Sequence, residues 1–479
     1  MSEPKQPTAS AGKRLAMNAM VGQVKVTGGA AAAIALVATY VVAGVFGLGL
    51  GGTFAMHQAH ACNAPQWLQN IKGYDANCGP DRSAAIKRRQ AKRNRGPLQD
   101  LRPGKMPLRS LAMLDAVDAA IVRYQKIAAQ GGWNTIPKGR YLRPGDDDER
   151  APALRRRLIR GGDLDQRFWS RSFSYGRRLE AAVRRFQKRH GLITNGVVDA
   201  RTLAHLNIPA ATRLAQLRVN RARIRDYLAQ PTDQRYIFVN VPAFQLEAVE
   251  GYEVQRRHRV IVGKPDRQTP TLKATIKGLN FFPYWRVPDS VAHKDLIPRL
   301  RREPDYLQNE HIRVLTAFGG QEVDPRSIDW SSPDAKRYKF RQDPGKWNAL
   351  GLVRINMPND DIIYLHDTPM QRLFSQRSRA YSAGCVRVHD VMELVKWLAR
   401  YEPGWQDGAR VDEVLASGIG EDLKFTRPVP VYLAYITAWV EEDGEVQFRY
   451  DMYGRDGIPE LTRYRPPEDA PPPGQKLTP

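Results

Sequence analysis

Cysteine is scarce in this sequence, which has only three in 479 residues. Neither an HxxxH nor an HExxH pattern, spacings that bring two imidazoles onto one helical face, links the histidines of the C-terminal half. These histidines are His258, His293, His311, His366 and His389. A glycine-rich phosphate loop is also missing from the sequence. The sequence therefore disfavours a zinc amidase and predicts neither a metal nor another cofactor.

Acidic residues are in the minority, since 50 Asp and Glu stand against 74 Lys and Arg and give a net charge of +24. So strong a positive field favours an anionic partner, such as nucleic acid, anionic lipid headgroups or an acidic cell-wall polymer. Composition alone leans slightly toward nucleic acid. The hydrophobic content of 42% is an ordinary globular value, and the length suffices for two or three domains.

Charged residues are absent from positions 26–56, and the run at 30–50 is almost entirely apolar. This run is long enough to cross a bilayer as a helix. The basic residues that precede it are Lys5, Lys13, Arg14 and Lys25. The positive-inside tendency predicts a cytoplasmic tail at 1–25, a transmembrane signal-anchor at 26–56 and an exported body. The alternative is a cleaved signal peptide, since Ala59-His60-Ala61 fits a cleavage site.

An exported body argues against nucleic acid as a partner and changes how the cysteines are interpreted. Cys62 and Cys78 lie close together just beyond the predicted anchor, where an oxidising compartment would let them form a disulfide. They belong to a basic, proline-containing juxtamembrane linker predicted at 57–110. Cys385 is then unpaired, and an unpaired thiol in such a compartment has to be either buried or used in the protein's chemistry.

The hydrophobic period of the chain changes at about Tyr236. Before that point a spacing of three to four residues predicts helices, and after it alternating or fully apolar runs predict strands. A proline- and aromatic-rich excursion among the strands is too long for a simple connection and is interpreted as a lid. The predicted segments are a scaffold at 111–150, a helical module at 151–210, a helical connector at 211–233, a mostly β domain at 234–424 with its lid at about 285–347, a C-terminal hairpin at 425–460 and a disordered tail at 461–479.

The module at 151–210 contains the run LEAAVRRFQKRHGLITNGVVDARTLAHLN. This run resembles the peptidoglycan-binding-domain-1 family, a small three-helix module that binds the cell wall. The matching positions are Val183, Phe186, Gln187, Gly191, Leu192, Gly196, Asp199, Thr202 and Leu203. Most of them are core or turn positions, so they support the fold more than they identify ligand contacts. A generic helical bundle is the alternative.

Cys385 lies in the stretch YSAGCVRVHD, after a glycine and close to basic side chains. A cysteine nucleophile needs a base or a positive potential to form its thiolate, and the nearby candidates are His366, His389 and Arg387. Gly384 permits close approach of a substrate carbonyl, and the neighbouring amides are suited to an oxyanion hole. A buried structural cysteine beside a loop histidine explains the spacing equally well.

The run IYLHDTP…RAYSAGCVRV resembles the signature of the L,D-transpeptidases with a YkuD-type catalytic domain. In that family a histidine follows a strand, and a Ser-x-Gly-Cys-Val/Ile-Arg run carries the nucleophile. The matching positions here are His366, Ser382, Gly384, Cys385, Val386 and Arg387. Ala383 departs from the histidine, serine or glycine that relatives often carry, which leaves His366 as the base.

The resemblance extends upstream through RVIVGKPDRQTPTLKATIKGLNFFPYWRVPDSVAHKDLIP and covers about residues 111–457. It implies an α+β multidomain protein: an N-terminal transmembrane helix, a helical scaffold, a three-helix peptidoglycan-binding module and a mostly β YkuD-type catalytic sandwich with a helical capping insertion. It also implies a single-pass protein of the bacterial inner membrane with its catalytic body in the periplasm. The partners implied are peptidoglycan stem peptides and the inner membrane.

The mechanism that the resemblance implies begins with attack of Cys385, activated by His366, on the bond between meso-diaminopimelate and the terminal D-alanine of a stem tetrapeptide. D-Alanine leaves and an acyl-thioester forms. The side-chain amine of a second diaminopimelate then attacks the thioester and gives a 3→3 cross-link.

Supporting roles are implied by the same resemblance. The backbone amide of Gly384 would hold the oxyanion, the backbone carbonyl of Asp367 would orient His366, and Arg387 would support the loop or favour the thiolate. The positions expected to face substrate are Tyr364, Trp285 and Ser382. Both aromatic residues are nearly as readily explained as core.

Four alternatives to cross-linking arise from the sequence alone. The thioester could pass to water, as in an L,D-carboxypeptidase, or to a protein amine, as in a ligase that attaches an envelope protein to the wall. A catalytically idle wall-binding anchor is the non-enzymatic alternative. An envelope nucleic-acid-binding protein rests on charge alone.

Overall fold

The structure is a computed structural model that describes residues 100–230 and 233–462, together with the two-residue strands Tyr74–Asp75 and Gly79–Pro80. The chain divides into two units, residues 1–79 and 80–479, and every described element longer than two residues lies in the second. The predicted anchor at 26–56 and the predicted pair of Cys62 with Cys78 lie outside the described residues. Within the described ranges, no helix is both long and apolar enough to span a bilayer.

Two long helices form the scaffold, α1 (Leu111–Ala129) and α5 (Ala210–Leu228). Helix α1 begins where the Ser110 hydroxyl accepts a hydrogen bond of 3.1 Å from the Met113 amide, which satisfies one amide of the first turn. The two helices and a C-terminal hairpin share one apolar core. Its members include Met113, Val117, Tyr124, Leu217, Ile224, Trp439 and Phe448.

The module between α1 and α5 contains three helices, as the period of its apolar residues predicts. They are α2 (Ala151–Gly161), α3 (Arg177–Arg189) and α4 (Ala200–Leu206). Helix α4 begins where Asp199 Oδ1 accepts a hydrogen bond of 2.7 Å from the Thr202 amide, as expected of an aspartate at the cap position.

Gln187 of α3 is fully buried and holds the turn between α3 and α4. Its side-chain oxygen accepts a hydrogen bond of 2.8 Å from the Gly196 amide, and its nitrogen donates to the Val197 carbonyl at 2.8 Å and to Thr202 Oγ1 at 3.2 Å. Gln187 therefore stabilises the fold of the module, in keeping with the interpretation of the motif as core and turn positions.

His205 of α4 makes the stability of the module sensitive to acid. Its side chain is buried, and burial together with the charge of Arg213 lowers the pKa of His205 to about 3. The unfolded chain binds this proton near pH 6.5, so the stability is complete above that pH and falls as the pH drops toward 3. We expect His205→Phe to reduce the loss of unfolding free energy between pH 7.5 and 5.0 by about 2 kcal/mol. Urea denaturation of both proteins at both pH values measures this, and equal losses would contradict it.

The C-terminal half is built on a nine-stranded sheet, so it is mostly β as predicted. The strands are β1 (Arg235–Asn240), β2 (Gln245–Glu250), β3 (Glu253–Gly263), β4 (Leu272–Phe281), β9 (Val353–Asn356), β10 (Leu365–His366), β11 (Ala380–Ser382), β12 (Val386–Val388) and β13 (Asp422–Ala434). Their order is β11-β3-β12-β10-β9-β4-β13-β1-β2, and β2 also pairs with β3. The predicted sandwich is thus a sheet that closes on itself, with only β11 outside the ring.

The insertion between β4 and β9 has a core and a sheet of its own. Its strands pair in the order β5-β8-β6-β7 and are β5 (Trp285–Arg286), β6 (Ile312–Leu315), β7 (Glu322–Val323) and β8 (Lys339–Gln342). Its helices are α6 (Asp289–Val291), α7 (Ile297–Leu300) and α8 (Tyr306–Asn309), with a π-helical turn at Ala292–Leu296. The prediction of a helical insertion is therefore wrong in part, because strands of two to four residues are too short to display an alternating pattern.

Two helices after β12, α9 (Val391–Ala399) and α10 (Ala409–Ser417), pack on the core of the closed sheet. Asp390 precedes α9 and is a residue type favoured at a helix cap, yet it has φ +50° and makes no side-chain hydrogen bond to the helix. Its carboxylate instead lies 2.8 Å from Nδ1 of His389.

The C-terminal hairpin consists of β14 (Ala438–Val440) and β15 (Val446–Phe448) and turns at Gly444, where φ is +79°. It is shorter than the sequence pattern predicts, since the apolar run before it belongs to β13 of the closed sheet. A last short helix, α11 (Pro459–Thr462), follows.

Candidate active site

Two short parallel strands, β10 and β12, place four functional side chains on one face of the closed sheet. Their register sets His366 opposite Arg387, and the Tyr364 carbonyl accepts a hydrogen bond of 3.1 Å from the Val386 amide. Side chains alternate between the faces of a strand, so the register puts Leu365 and Val386 together on one face. The other face therefore carries a four-residue array in two rows: Tyr364 beside Cys385, and His366 beside Arg387.

Cys385 is buried in this array, with 6% of its surface exposed. Its Sγ lies 3.9 Å from the Ile362 carbonyl oxygen. Burial raises the pKa of the thiol to about 11, although hydrogen bonding to Tyr364 and the charge of Arg387 act in the opposite direction. The thiol is therefore neutral at physiological pH, and attack on a substrate requires a base.

His366 is fully buried, and burial together with the charge of Arg387 lowers the pKa of its imidazole to about 3. The ring is therefore neutral and able to accept a proton at physiological pH. The backbone of Asp367 raises this pKa slightly, yet neither ring nitrogen has a hydrogen bond of ordinary geometry to a described residue. His366 and Cys385 are diagonal neighbours, with Cα atoms about 8 Å apart by strand geometry, and no hydrogen bond joins them.

Arg387 is an almost completely buried cation, with 1% of its surface exposed. Its Nη1 lies 3.8 Å from Met370 Sδ, and its Nε and Nη2 have no hydrogen-bond acceptor in the described part of the chain. Burial lowers the pKa of Arg387 to about 10. The guanidinium still carries its charge at neutral pH, so it adds a positive potential to the array.

Ser382 and Gly384 shape the loop that carries Cys385. The Ser382 hydroxyl donates a hydrogen bond of 2.6 Å to the Cys385 carbonyl and accepts one of 3.2 Å from the Gly384 amide. Gly384 has φ +130°, a conformation that L side chains rarely adopt. Its carbonyl accepts a hydrogen bond of 2.7 Å from Thr269 Oγ1. Because Ser382 is fully buried and the Gly384 amide is engaged, an oxyanion hole here would rely on the Cys385 amide, which has no partner among the described residues.

Asp367 supports the end of β10 with both its side chain and its backbone. Its Oδ2 accepts a hydrogen bond of 2.9 Å from the Leu352 amide, and its own amide donates to the Val353 carbonyl at 3.0 Å. A Cβ at Gly351, where φ is +64°, would lie 2.3 Å from that carboxylate. The approach of Asp367 to this loop thus requires glycine and fixes the position of the neighbouring His366.

The two aromatic residues expected to face substrate lie close together, since Tyr364 packs against the insertion core that contains Trp285. The Tyr364 ring packs edge-on against His366, with 5.6 Å between the ring centres, and its hydroxyl bonds to Cys385. Trp285 is buried in the core of the insertion, where it and Arg387 line one small cavity. Tyr364 is therefore part of the array, whereas Trp285 belongs to the insertion beside it.

Two further residues of the site carry no motif in the sequence. Arg354 of β9 lies opposite His366 on the antiparallel side of β10, and its guanidinium lies 5.8 Å from the centre of the Tyr364 ring. Thr269 accepts a hydrogen bond of 2.9 Å from the Gly263 amide besides donating to the nucleophile loop. The alternation in VRIN hints that Arg354 faces away from the core, but only the strand pairing brings it to the array.

The raised pKa of Cys385 predicts slow alkylation at neutral pH. A thiol whose pKa rises from 9.0 to about 11 contains about 100-fold less thiolate at pH 7.5 than an ordinary cysteine. We expect iodoacetamide to label Cys385 about tenfold faster per pH unit between pH 7 and 10, as followed by peptide mass mapping. Rapid labelling that does not change with pH would contradict this and indicate a preformed thiolate–imidazolium pair.

Comparison with known proteins bears on both halves of the chain. Residues 234–416 match the YkuD family, described as the "L,D-transpeptidase catalytic domain", and residues 149–206 match the family described as "Putative peptidoglycan binding domain". A Haemophilus influenzae protein named "Putative L,D-transpeptidase" is 37% identical over 242 residues. That match covers 50% of this chain and 48% of the relative, so the chain spans about half the length of that relative.

Solved structures add little to this assignment. An L,D-transpeptidase from Xylanimonas cellulosilytica is 16% identical, and the match covers 62% of this chain and 99% of that structure with a TM-score of 0.17. An L,D-transpeptidase from Stackebrandtia nassauensis is 14% identical, with 61% and 94% covered and a TM-score of 0.23. Scores this low carry no weight for the fold. The sequence matches carry the comparison: residues 234–416 match the L,D-transpeptidase catalytic domain of the YkuD family, and residues 149–206 of the same chain match a peptidoglycan-binding domain.

Proposed function

We propose that the protein is a peptidoglycan L,D-transpeptidase that forms 3→3 cross-links between diaminopimelate residues. Its body would lie in the bacterial periplasm, held to the inner membrane by the segment at 26–56. The observation that carries the proposal is the array itself, in which a neutral thiol and a neutral imidazole share one face of the sheet. The peptidoglycan-binding domain would hold the chain on its polymeric substrate.

The reaction takes place in two steps at Cys385. As Sγ attacks the carbonyl that joins diaminopimelate to D-alanine, His366 accepts the thiol proton. The C–N bond breaks, the proton passes to the leaving amine of D-alanine, and a thioester remains. The amine of a second diaminopimelate then attacks the thioester, a new amide bond forms, and the thiol is restored.

An open groove of about 560 Å³ leads to the Tyr364 end of the array. Its walls present amide and basic side chains, namely Lys277, Asn280, Arg354, Asn356, Asn359 and Lys424. Peptide groups and carboxylates are well bound by such donors. A stem peptide, which carries several carboxylates, is therefore a suitable occupant of this groove.

The acceptor in the second step separates the proposal from its alternatives. Water as acceptor would make the protein an L,D-carboxypeptidase, and a protein amine would make it a ligase that attaches an envelope protein to the wall. An inert wall-binding anchor would form no thioester. All three alternatives keep the same domain assignment.

Intact mass of the full chain in detergent tests the proposal directly. After incubation with a purified tetrapeptide muropeptide, we expect an adduct equal to the donor minus D-alanine, absent from Cys385→Ala. With a second stem present, a cross-linked dimer should appear together with one equivalent of D-alanine. Tripeptide alone would identify the carboxypeptidase, and no adduct on folded protein would leave the wall-binding anchor.

A further inference from the structure

A small, partly enclosed cavity lies beside the array, at the end away from the open groove. Its volume is about 10 Å³, the space of one water-sized group. Arg387 and Met370 form its floor, and the insertion supplies most of the walls, including Trp285, Glu310 and Trp347. The array is thus bordered on one side by an open groove and on the other by a small, partly enclosed cavity.

Hydrogen-bond donors without acceptors are concentrated in the lining of this cavity. Nε and Nη2 of Arg387 and Nε1 of Trp347 are buried, and none of them has an acceptor anywhere in the described ranges. An unpaired buried cation is costly and is usually tolerated only where it has a function. Donors of this kind favour an anion with two oxygens, since a guanidinium binds a carboxylate through parallel N–H···O bonds.

We propose that Arg387, with Trp347, binds the terminal carboxylate of the D-amino acid that leaves during thioester formation. This inference rests on the proposed L,D-transpeptidase function and assigns the terminal carboxylate of the substrate to the cavity beside Arg387. The leaving carboxylate lies one residue beyond the scissile carbonyl, about 3.5 Å along an extended peptide. Arg387 follows Cys385 by two residues on the same face, about 6.6 Å along the strand. A guanidinium at that distance reaches the leaving residue, once the insertion opens slightly to admit the carboxylate.

The charge of Arg387 gives this contact a second effect. Burial, together with the charge of the guanidinium, holds the pKa of His366 low, so His366 alone is a weak base. A carboxylate beside Arg387 offsets that charge, and the imidazole then accepts the thiol proton more readily. Binding of the terminal carboxylate thereby makes His366 a stronger base for the first step.

A pair of substrates that differ only at this group tests the inference. The donor tetrapeptide and its C-terminal carboxamide release D-alanine and D-alaninamide respectively, and both products can be quantified. We expect the unchanged chain to favour the acid by about 10- to 100-fold in kcat/KM. In Arg387→Met this preference should fall to about twofold or less. Arg387→Lys keeps the charge but not the paired N–H groups of the guanidinium, so its preference should be intermediate. In Trp347→Phe it should fall severalfold.

Two control variants keep the result specific. Arg313→Gln removes an exposed arginine of the same insertion that lies outside both the cavity and the groove, and it should leave the preference for the acid unchanged. Glu310→Gln removes a negative charge from the cavity wall and should strengthen the preference, whereas a site for an ammonium group would respond in the opposite direction. Arg387→Met should melt no lower than the unchanged chain, because removal of an unpaired buried cation does not cost stability.

The failure of this inference is distinguishable from failure of the proposed function. Equal use of acid and amide by the unchanged chain would overturn the carboxylate site and leave the transpeptidase proposal standing. Equal loss of both reactions in Arg387→Met, with a lower melting temperature, would assign Arg387 a structural role and also overturn it. Absence of a thioester from either substrate would overturn both proposals.

Discussion

Replacement of His366 by glutamine is expected to lower the rate of thioester formation by about 10³-fold at pH 7.5. In the unchanged chain the base is unprotonated above about pH 3 and the thiol is protonated below about pH 11. The rate should therefore be nearly constant between pH 5 and 9. Without the base, only the thiolate fraction reacts, and that fraction grows about tenfold per pH unit until it approaches pH 11. The variant should thus regain activity as the pH rises.

Release of D-alanine from a tetrapeptide, measured in both proteins from pH 5 to 9, distinguishes this outcome from simple misfolding. His258→Gln provides the control, because His258 is a second buried histidine of the same sheet and lies outside the array. Its Nδ1 is 2.9 Å from the His389 carbonyl oxygen, so it has a structural contact to lose. We expect a pH profile of unchanged shape in the control. A flat profile in His366→Gln would show that His366 is not the base.

The sequence identifies the members of the site more readily than their arrangement. His366 and Cys385 stand out because one follows an apolar run and the other lies in a glycine turn. Their placement as diagonal neighbours depends on the parallel pairing of β10 with β12, which joins segments about 20 residues apart. No local pattern specifies that register, since each strand has only two or three residues. Arg354 enters the site through yet another strand pairing.

Local chemistry also overrides two expectations drawn from residue type. Gly384 fits an oxyanion hole by sequence, yet its amide is bonded to Ser382, whose hydroxyl also holds the Cys385 carbonyl. Asp390 fits a helix cap by sequence, yet a left-handed backbone turns its carboxylate toward His389. In both cases a short-range side-chain hydrogen bond or ion pair competes with the predicted role. Such competition depends on backbone angles, which the sequence alone does not display.

The helical module shows the opposite situation. Its apolar residues repeat at helical spacing over whole helices, and the Asp199 cap and the Gln187 turn lie within a few residues of their partners. Interactions this local follow from the sequence pattern itself. The insertion lacks them, and its core joins residues up to about 65 positions apart, so its sheet was not predictable from periodicity.

The largest loss of stability is expected at Glu247, which fastens the segment before α1 to the closed sheet. Glu247 is 1% exposed, and its Oε1 lies 2.6 Å from Arg102 Nη1 and 3.2 Å from Arg257 Nε. Its Oε2 accepts a hydrogen bond of 3.0 Å from the Leu108 amide. In Glu247→Gln the charge is lost while two buried guanidinium groups remain, and Arg102 keeps only its 3.0 Å pair with Glu441. We expect the unfolding free energy to fall by about 3–5 kcal/mol, as measured by urea denaturation at pH 7.5.

Glu253→Gln is the matched control for this prediction. Glu253 also pairs with a basic residue of the same segment, since its carboxylate lies 2.9 Å from Lys105 Nζ. Both of these side chains, however, are more than half exposed. Water solvates either charge when the pair is broken, so we expect the control to unfold at nearly the same urea concentration as the unchanged chain. Burial and not the number of ion pairs therefore decides which contact holds the segment. Equal losses in the two variants would contradict that conclusion, and so would a Glu247→Gln protein as stable as the unchanged chain.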